Sequence, residues 1–249
     1  MHRTAGSGAS LRLADPGSRA ARLIPAVIFF FLALALTAPA QEVQRHGLVF
    51  EAWIDDTFFG GYRPPGYTQK WDIPASANRD HGGVPVNPKA AKYRTPVDLG
   101  DALRQFDIAE PFILVIGYWR QDGDAKRIVN IVAPRIDPAA WRKLWGPVTR
   151  ADLERLDAVV KDKSLTPAQA RAAAKKIKHA APFNDPAAII EVNPKIDSHM
   201  QRRLQCSLRF ADVFKFLAPG ADPTEQAHPT LWGVEFPAAI VSKPREFAR

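Results

Sequence analysis

The stretch that decides the fold is Phe112-Ile-Leu-Val-Ile-Gly-Tyr-Trp119, which is almost continuously apolar. Such a short apolar run is typical of a β-strand that is covered on both faces. Its predicted neighbour is Ile128-Val-Asn-Ile-Val132, which follows across the polar turn Gln121-Asp-Gly-Asp124. These segments predict a central sheet.

Several elements are predicted before this strand. Apolar residues at helical spacing predict a helix over 44–59, which Gly60-Gly61 would end. Alternating residues predict a strand at Tyr67–Ile73, a short extended segment is expected at Val84–Lys89, and Asp98–Phe106 is predicted to be helical.

Three helices are predicted after it, each with a start signal: Asp137-Pro138, Thr149 with Asp152, and the capping box Thr166-Pro-Ala-Gln169. The segment Gln201–Phe210 then alternates between apolar and polar residues, as a strand with one basic face does. We therefore expect an α/β fold with a mixed central sheet flanked by helices, in one domain (41–249) with a helical insertion at about 137–180.

The first 40 residues have the composition of a signal peptide. Four arginines precede the uncharged apolar run Leu23–Ala40, which ends in the small-x-small sequence Ala38-Pro39-Ala40. We expect cleavage after Ala40 and a secreted or periplasmic protein. An uncleaved N-terminal membrane anchor is the alternative.

Composition and charge exclude some functions. The single cysteine, Cys206, excludes an intramolecular disulfide and a cysteine-based zinc site. The scattered histidines do not favour a histidine-rich zinc site. The chain has a formal net charge of +8, which falls to about +5 without residues 1–40, so charge admits an anionic partner without requiring one.

Three residues occur in a suggestive order: Glu51 on the opening helix, Asp72 on the next strand and Lys89 at the end of the extended segment. In this order the chain resembles the PD-(D/E)xK nuclease superfamily, especially its type II restriction-endonuclease-like branch. Gly47-Leu-Val-Phe-Glu51 matches a Gly-x-x-Phe-Glu element of that family. Asp72 matches its strand aspartate, and Asn87 with Lys89 matches an acidic residue followed two positions later by lysine. The resemblance covers roughly residues 44–135, with the arginine-rich strand near 202–209 as further support.

The resemblance implies a restriction-endonuclease-like core and a magnesium-dependent nuclease. Asp72 would be the central Mg²⁺ ligand and Glu51 a second one, directly or through water, because Mg²⁺ prefers oxygen ligands. Lys89 would stabilise the attacking hydroxide or the charge on the phosphorane. The nucleic acid would lie against Arg202, Arg203, Gln205 and Arg209.

The chain departs from the family at Asn87, where a carboxylate is usual. An amide oxygen can bind a metal, but the site loses one negative charge and should hold Mg²⁺ less well. We therefore expect a protein that either hydrolyses or only binds nucleic-acid phosphodiesters. Pro85 and Pro88 remove backbone donors, which predicts that their segment is bulged or lies at a sheet edge.

A non-catalytic interaction module is the alternative function. Its basis is a cluster that could bind a glycan or a protein by stacking, formed by Phe58, Phe59, Tyr62, Pro64, Pro65, Tyr67 and Trp71. A glycosidase is less well supported, because the adjacent Asp55 and Asp56 project in different directions on a helix and cannot flank one bond.

Overall fold

The computed structural model describes residues 38–63, 70–197, 201–237 and 239–241, and for residues 38–46 and Val241 it describes the backbone alone. The chain divides into two units, Met1–Pro39 and Ala40–Arg249. Nearly all of the predicted signal peptide (1–40) lies outside the described residues. Within the described ranges, no helix combines the length and the apolar character needed to cross a lipid bilayer.

The described elements confirm the predicted α/β class. In chain order they are α1 (Ala38–Phe58), β1 (Val86–Lys92), β2 (Val97–Asp101), α2 (Ala102–Phe106), β3 (Phe112–Asp122), β4 (Ala125–Val132), β5 (Arg135–Ile136), α3 (Pro138–Lys143), α4 (Arg150–Lys161), α5 (Pro167–Lys178), β6 (Glu191–Ile196), β7 (Arg202–Leu208), α6 (Phe210–Asp212), a π-helical turn (Val213–Leu217), β8 (Thr230–Leu231), β9 (Val234–Glu235) and β10 (Ile240–Val241).

The mixed sheet is built around β3. Its strand order is β1-β3-β4-β10, and β5 also pairs with β3. β1 is parallel to β3, whereas β4, β5 and β10 pair antiparallel with their neighbours. The predicted strand and its predicted neighbour are thus the two central strands of this sheet.

β3 is covered on both faces, as its continuous apolar sequence predicts. Ile113 and Val115 belong to a core that includes Phe50 and Ile54 of α1. Leu114 and Ile116 face the opposite way and belong to a second, larger core. That larger core is completed by α2 to α5 and by β7, so the mixed sheet is the middle layer of the fold.

β7 lies in a separate antiparallel sheet with the order β2-β7-β6. Its apolar residues Leu204, Cys206 and Leu208 are buried in the larger core. Alternation in sequence thus identifies the strand and its buried face, but the sheet to which it belongs is decided by pairing with β2 and β6.

The three helices follow their start signals. Asp137 accepts a hydrogen bond from the backbone N–H of Ala139, and Thr149 and Thr166 each form a complete capping box. Side-chain acceptors at these positions satisfy N–H groups that a helix start leaves unpaired. The helices lie within the stretch predicted to hold the helical insertion.

Two predicted elements are wrong in part. The predicted helix Asp98–Phe106 begins as β2, because Val97 and Leu99 are buried in the core and the strand pairs with β7, and helix starts only at Ala102. The first part of the predicted strand Tyr67–Ile73, residues 67–69, lies outside the described residues. Its described end is no strand, since only Ile73 pairs, through one bridge to Val86.

The position of α1 is set by its contact with Gly117 of β3. A Cβ atom at Gly117 would lie 2.5 Å from the Phe50 ring, so the ring occupies the space that any other residue would need. Phe50 and Ile54 are both fully buried. The glycine therefore lets the helix approach the sheet closely.

Gly117→Ala is expected to lower the free energy of unfolding by about 1–3 kcal/mol, because the new methyl group overpacks a buried ring that has no room to move. Urea unfolding measures the effect. Gly220→Ala is the control, since a Cβ atom there meets nothing within 4 Å. In a Phe50→Leu background the cost should shrink; an equal cost in both backgrounds would contradict the proposed contact.

Candidate active site

Glu51 lies at the rim of α1 because its neighbour Phe50 faces the sheet. Glu51 is partly buried, and Asp55, one turn further along the helix, is 8% exposed. Residues four apart share one side of a helix. α1 therefore places two carboxylates next to each other on the flank of its buried face.

The Lys89 amine lies at the outer edge of β1, the edge that faces away from β3. Val86 exchanges two backbone hydrogen bonds with Ile73, and strand alternation directs the backbone groups of Pro88 to the same edge. The Lys89 amine donates to the Pro88 carbonyl oxygen at 2.8 Å. The predicted edge position is confirmed, because β1 is the last strand on its side of the sheet.

Asp72 lies beside this edge because its two neighbours enter different cores. Trp71 packs into the larger core, whereas Ile73 packs on the α1 side of the sheet. The Asp72 carboxylate accepts a hydrogen bond from the Lys89 amine at 3.1 Å. The side chains of Lys89 and Asp72 are 21% and 45% exposed, so the pair borders solvent.

The electrostatics of Glu51 connect it to this pair. The pKa of Glu51 is raised to about 7: burial raises it most, the positive charge of Lys89 lowers it, and the negative charges of Asp72 and Asp55 raise it. These interactions operate over short distances between partly buried groups. Glu51 is therefore a carboxyl group that exchanges protons near neutral pH, within the field of both Lys89 and Asp72.

Asp55 and Arg63 extend the same group of charges. Burial raises the pKa of Asp55 to about 6, and Arg63 opposes this while Asp72 and Asp56 add to it. The guanidinium of Arg63 lies 3.6 Å from Asp55 and donates to Asp56 at 2.8 Å. Sequence reasoning assigned no role to Asp55 or Arg63, although Asp55 stands at helical spacing from Glu51.

The structure thus brings together Glu51, Asp72 and Lys89, but the side chain of Asn87 does not join them. Asn87 and Lys89 leave β1 on the face of their partners Leu114 and Ile116, opposite α1. Lysine is long enough for its amine to reach the strand edge, whereas the Asn87 Oδ1 atom is buried and has no hydrogen-bond partner. We therefore do not count Asn87 among the metal donors.

The oxygen donors at this edge fit Mg²⁺ only as a loosely held ion. Among the described residues, no group of three or more His, Cys, Asp or Glu side chains is arranged to hold a metal. Mg²⁺ often uses only one or two carboxylates, with water and substrate phosphate completing its shell. Asp72 and Glu51 fit such a site, since a divalent cation would favour the ionised form of Glu51 against the burial and the neighbouring carboxylates that raise its pKa.

The four predicted nucleic-acid contacts lie on and beside β7, in the other sheet. Arg202 donates to the carbonyl oxygens of Asp162 and Leu165, so it ties β7 to the connection between α4 and α5. Arg209 is paired with Asp212 at 2.7 Å. In the described part of the chain, no hydrogen bond or ion pair joins these residues, or Arg203 and Gln205, to the Lys89–Asp72 pair. Arg203 is exposed and Gln205 is partly buried.

Arg202→Ala is expected to lower the free energy of unfolding by about 1–3 kcal/mol, because it leaves two carbonyl oxygens without their charged donor. Arg203→Ala, which removes an exposed side chain from the same strand, should change it by less than about 0.5 kcal/mol. Thermal and urea unfolding of the two variants test this. Equal effects would show that Arg202 has no structural role.

Comparisons of this chain with family models, curated proteins and solved structures find no match.

Glu51→Gln is expected to stabilise the protein at about pH 8 and to have little effect at about pH 4. Because the pKa of Glu51 rises from 4.5 to about 7 on folding, the folded state binds more protons than the unfolded chain between these values. Stability therefore falls as pH rises through this window, and an uncharged glutamine removes that fall.

Urea unfolding in EDTA, across this pH range, measures the difference. The control is Glu154→Gln on α4, because Glu154 is an exposed helical carboxylate paired with Arg150. A Glu51→Gln effect that does not change with pH would show that the Glu51 carboxyl is not buried as described.

Proposed function

We propose that this chain hydrolyses nucleic-acid phosphodiester bonds at the edge of the mixed sheet, with Asp72, Lys89 and Glu51 at the reacting centre. The observation that supports the proposal is the 3.1 Å contact between the Lys89 amine and the Asp72 carboxylate, made within the field of Glu51. The order and types of these residues are those of the PD-(D/E)xK resemblance.

Each residue has a distinct task in this proposal. The Lys89 amine, oriented by Asp72 and by the Pro88 carbonyl, supplies fixed positive charge beside the scissile phosphate. Such charge stabilises the negative charge that develops on the phosphate oxygens during attack. The Glu51 carboxylate, with a pKa of about 7, accepts a proton from the attacking water at neutral pH.

Magnesium, when held by Asp72 and by Glu51 through water, would polarise the phosphate and lower the pKa of the attacking water. With one carboxylate fewer than the family pattern, the site should need a higher Mg²⁺ concentration than a site with three. We propose in addition that the protein is exported, which would make nucleic acid outside the cytoplasm its substrate.

Residues 41–249 with Mg²⁺ or Mn²⁺ are expected to nick supercoiled plasmid DNA, and Asp72→Ala and Lys89→Ala should each abolish nicking. Lys70→Ala is the matched control, because Lys70 stands two residues before Asp72 but pairs with Glu110, at 2.7 Å, rather than with Asp72. Gel electrophoresis of the plasmid gives the rates.

Nicking that persists unchanged in both variants would refute the site assignment. Binding of DNA with steep salt dependence, but without cleavage, would instead show a protein that has kept phosphate binding and lost catalysis. Asn87 in place of an acid would be the reason for that loss.

Part of the aromatic cluster on which the non-catalytic alternative depends is exposed. Trp71 and Phe59 are buried, and Pro64, Pro65 and Tyr67 lie outside the described residues, which leaves Phe58 and Tyr62 partly exposed. Binding to a glycan array without affinity for DNA at low salt would favour this second function.

A further inference from the structure

Four aromatic rings cluster where α1 ends, and we call them the aromatic platform: Phe58, Phe59, His81 and Trp232. The rings of His81 and Trp232 are stacked, with centroids 3.8 Å apart and planes 11° apart. Phe58 and Phe59 each meet both of these rings edge-on. Phe59 is buried, whereas the other three are partly exposed. The stacked rings of His81 and Trp232 are thus held in place by Phe58 and Phe59 and remain partly exposed to solvent.

The backbone at Trp232 is unusual for its residue type. Trp232 and Gly233 form the two-residue turn between β8 and β9, with φ values of 48° and 86°. Turns with two positive φ values favour Asn, Asp and Gly, and a bulky side chain is rare there. The large ring at this position is supported by its contacts with His81, Phe58 and Phe59.

Exposed arginines flank the His81 segment of the platform. Arg79 is exposed and lies two residues before His81. Arg135 is also exposed and donates to the carbonyl oxygen of Gly82, the residue after His81. Arg63 follows the end of α1, where its guanidinium pairs with Asp56 and lies 3.6 Å from Asp55. Asp80 stands between Arg79 and His81 and offsets part of the charge.

The platform is close to the proposed reacting centre along α1. The backbone N–H of Phe59 donates to the Asp55 carbonyl oxygen, and Phe58 lies seven residues after Glu51, about 10 Å along the helix axis. A few nucleotides span such a distance. One strand could therefore contact both places.

We propose that the aromatic platform binds a nucleobase of a single-stranded segment by stacking on the His81–Trp232 pair, while the neighbouring arginines contact its phosphates. The proposal rests on the proposed function, because it names the single-stranded form of the same substrate. Stacked rings combined with cationic side chains are how proteins bind single strands without sequence preference. A neutral glycan would use the rings but would offer these arginines no anionic group.

The test compares two fluorescent ten-nucleotide probes by anisotropy in EDTA, one of oligothymidylate and one with the same backbone but abasic throughout. The wild-type chain should bind the probe with bases about tenfold more tightly or better, the range expected for stacking. Trp232→Ala should remove this preference, and Trp232→Phe, which keeps a ring, should retain most of it. Alanine tolerates the positive φ no worse than tryptophan does, so the fold should survive.

Phe216→Ala is the matched control, because Phe216 is 39% exposed and lies in the π-helical turn outside the platform. It should leave the preference unchanged. Equal binding of both probes by the wild type, a preference that survives Trp232→Ala, or binding of a neutral glycan in place of the oligonucleotide would each overturn the proposal.

The nicking assay separates this proposal from the proposed function. If the wild type does not nick plasmid DNA but prefers the probe with bases, and Trp232→Ala removes that preference, hydrolysis is refuted and the platform is supported. Nicking by a wild type that shows no preference for bases refutes the platform and leaves hydrolysis standing.

Discussion

The contact between the Phe50 ring and the backbone of Gly117 holds α1 close to the mixed sheet, and the candidate site depends on it. The ring fills the place of a Cβ atom, so the helix has little freedom to shift along β3. Glu51 and Asp55 lie on the same helix as Phe50, and Lys89 lies on β1, which pairs with β3. A helix further from the sheet would move these carboxylates away from Lys89.

The charges at this edge are not balanced within the fold. Among the described residues here, four carboxylates, Glu51, Asp55, Asp56 and Asp72, share two cations, Lys89 and Arg63. Burial is the largest cause of the raised pKa values of Glu51 and Asp55, and the neighbouring carboxylates add to it. The result is a glutamate with a pKa of about 7. Perturbed carboxyl groups of this kind cluster at functional sites. The imbalance is the physical basis for proposing that an anionic substrate and a cation meet here.

Local signals predicted the local structure well. Asp137, Thr149 and Thr166 start helices because each supplies an acceptor to nearby backbone groups, which needs no distant partner. The apolar run in β3 and the edge prolines of β1 were equally informative. Asp98–Asp101 was misassigned because the pairing of β2 with β7 comes from a distant part of the chain. Of the platform, the sequence predicts only Phe58 and Phe59 as members of an aromatic cluster, because His81 and Trp232 are distant in sequence and join it only through tertiary packing.

By itself, the sequence determined the α/β class, the two central strands, the helix starts and the candidates Glu51, Asp72 and Lys89, since each depends on neighbouring residues or on their order. The tertiary structure alone decided that these three share one sheet edge and that Asn87 faces the other side of the sheet. It also decided that Asp55 and Arg63 join the group. Burial and charge interactions depend on distance in space, and only the packing of α1 on β3 brings these side chains within range of each other.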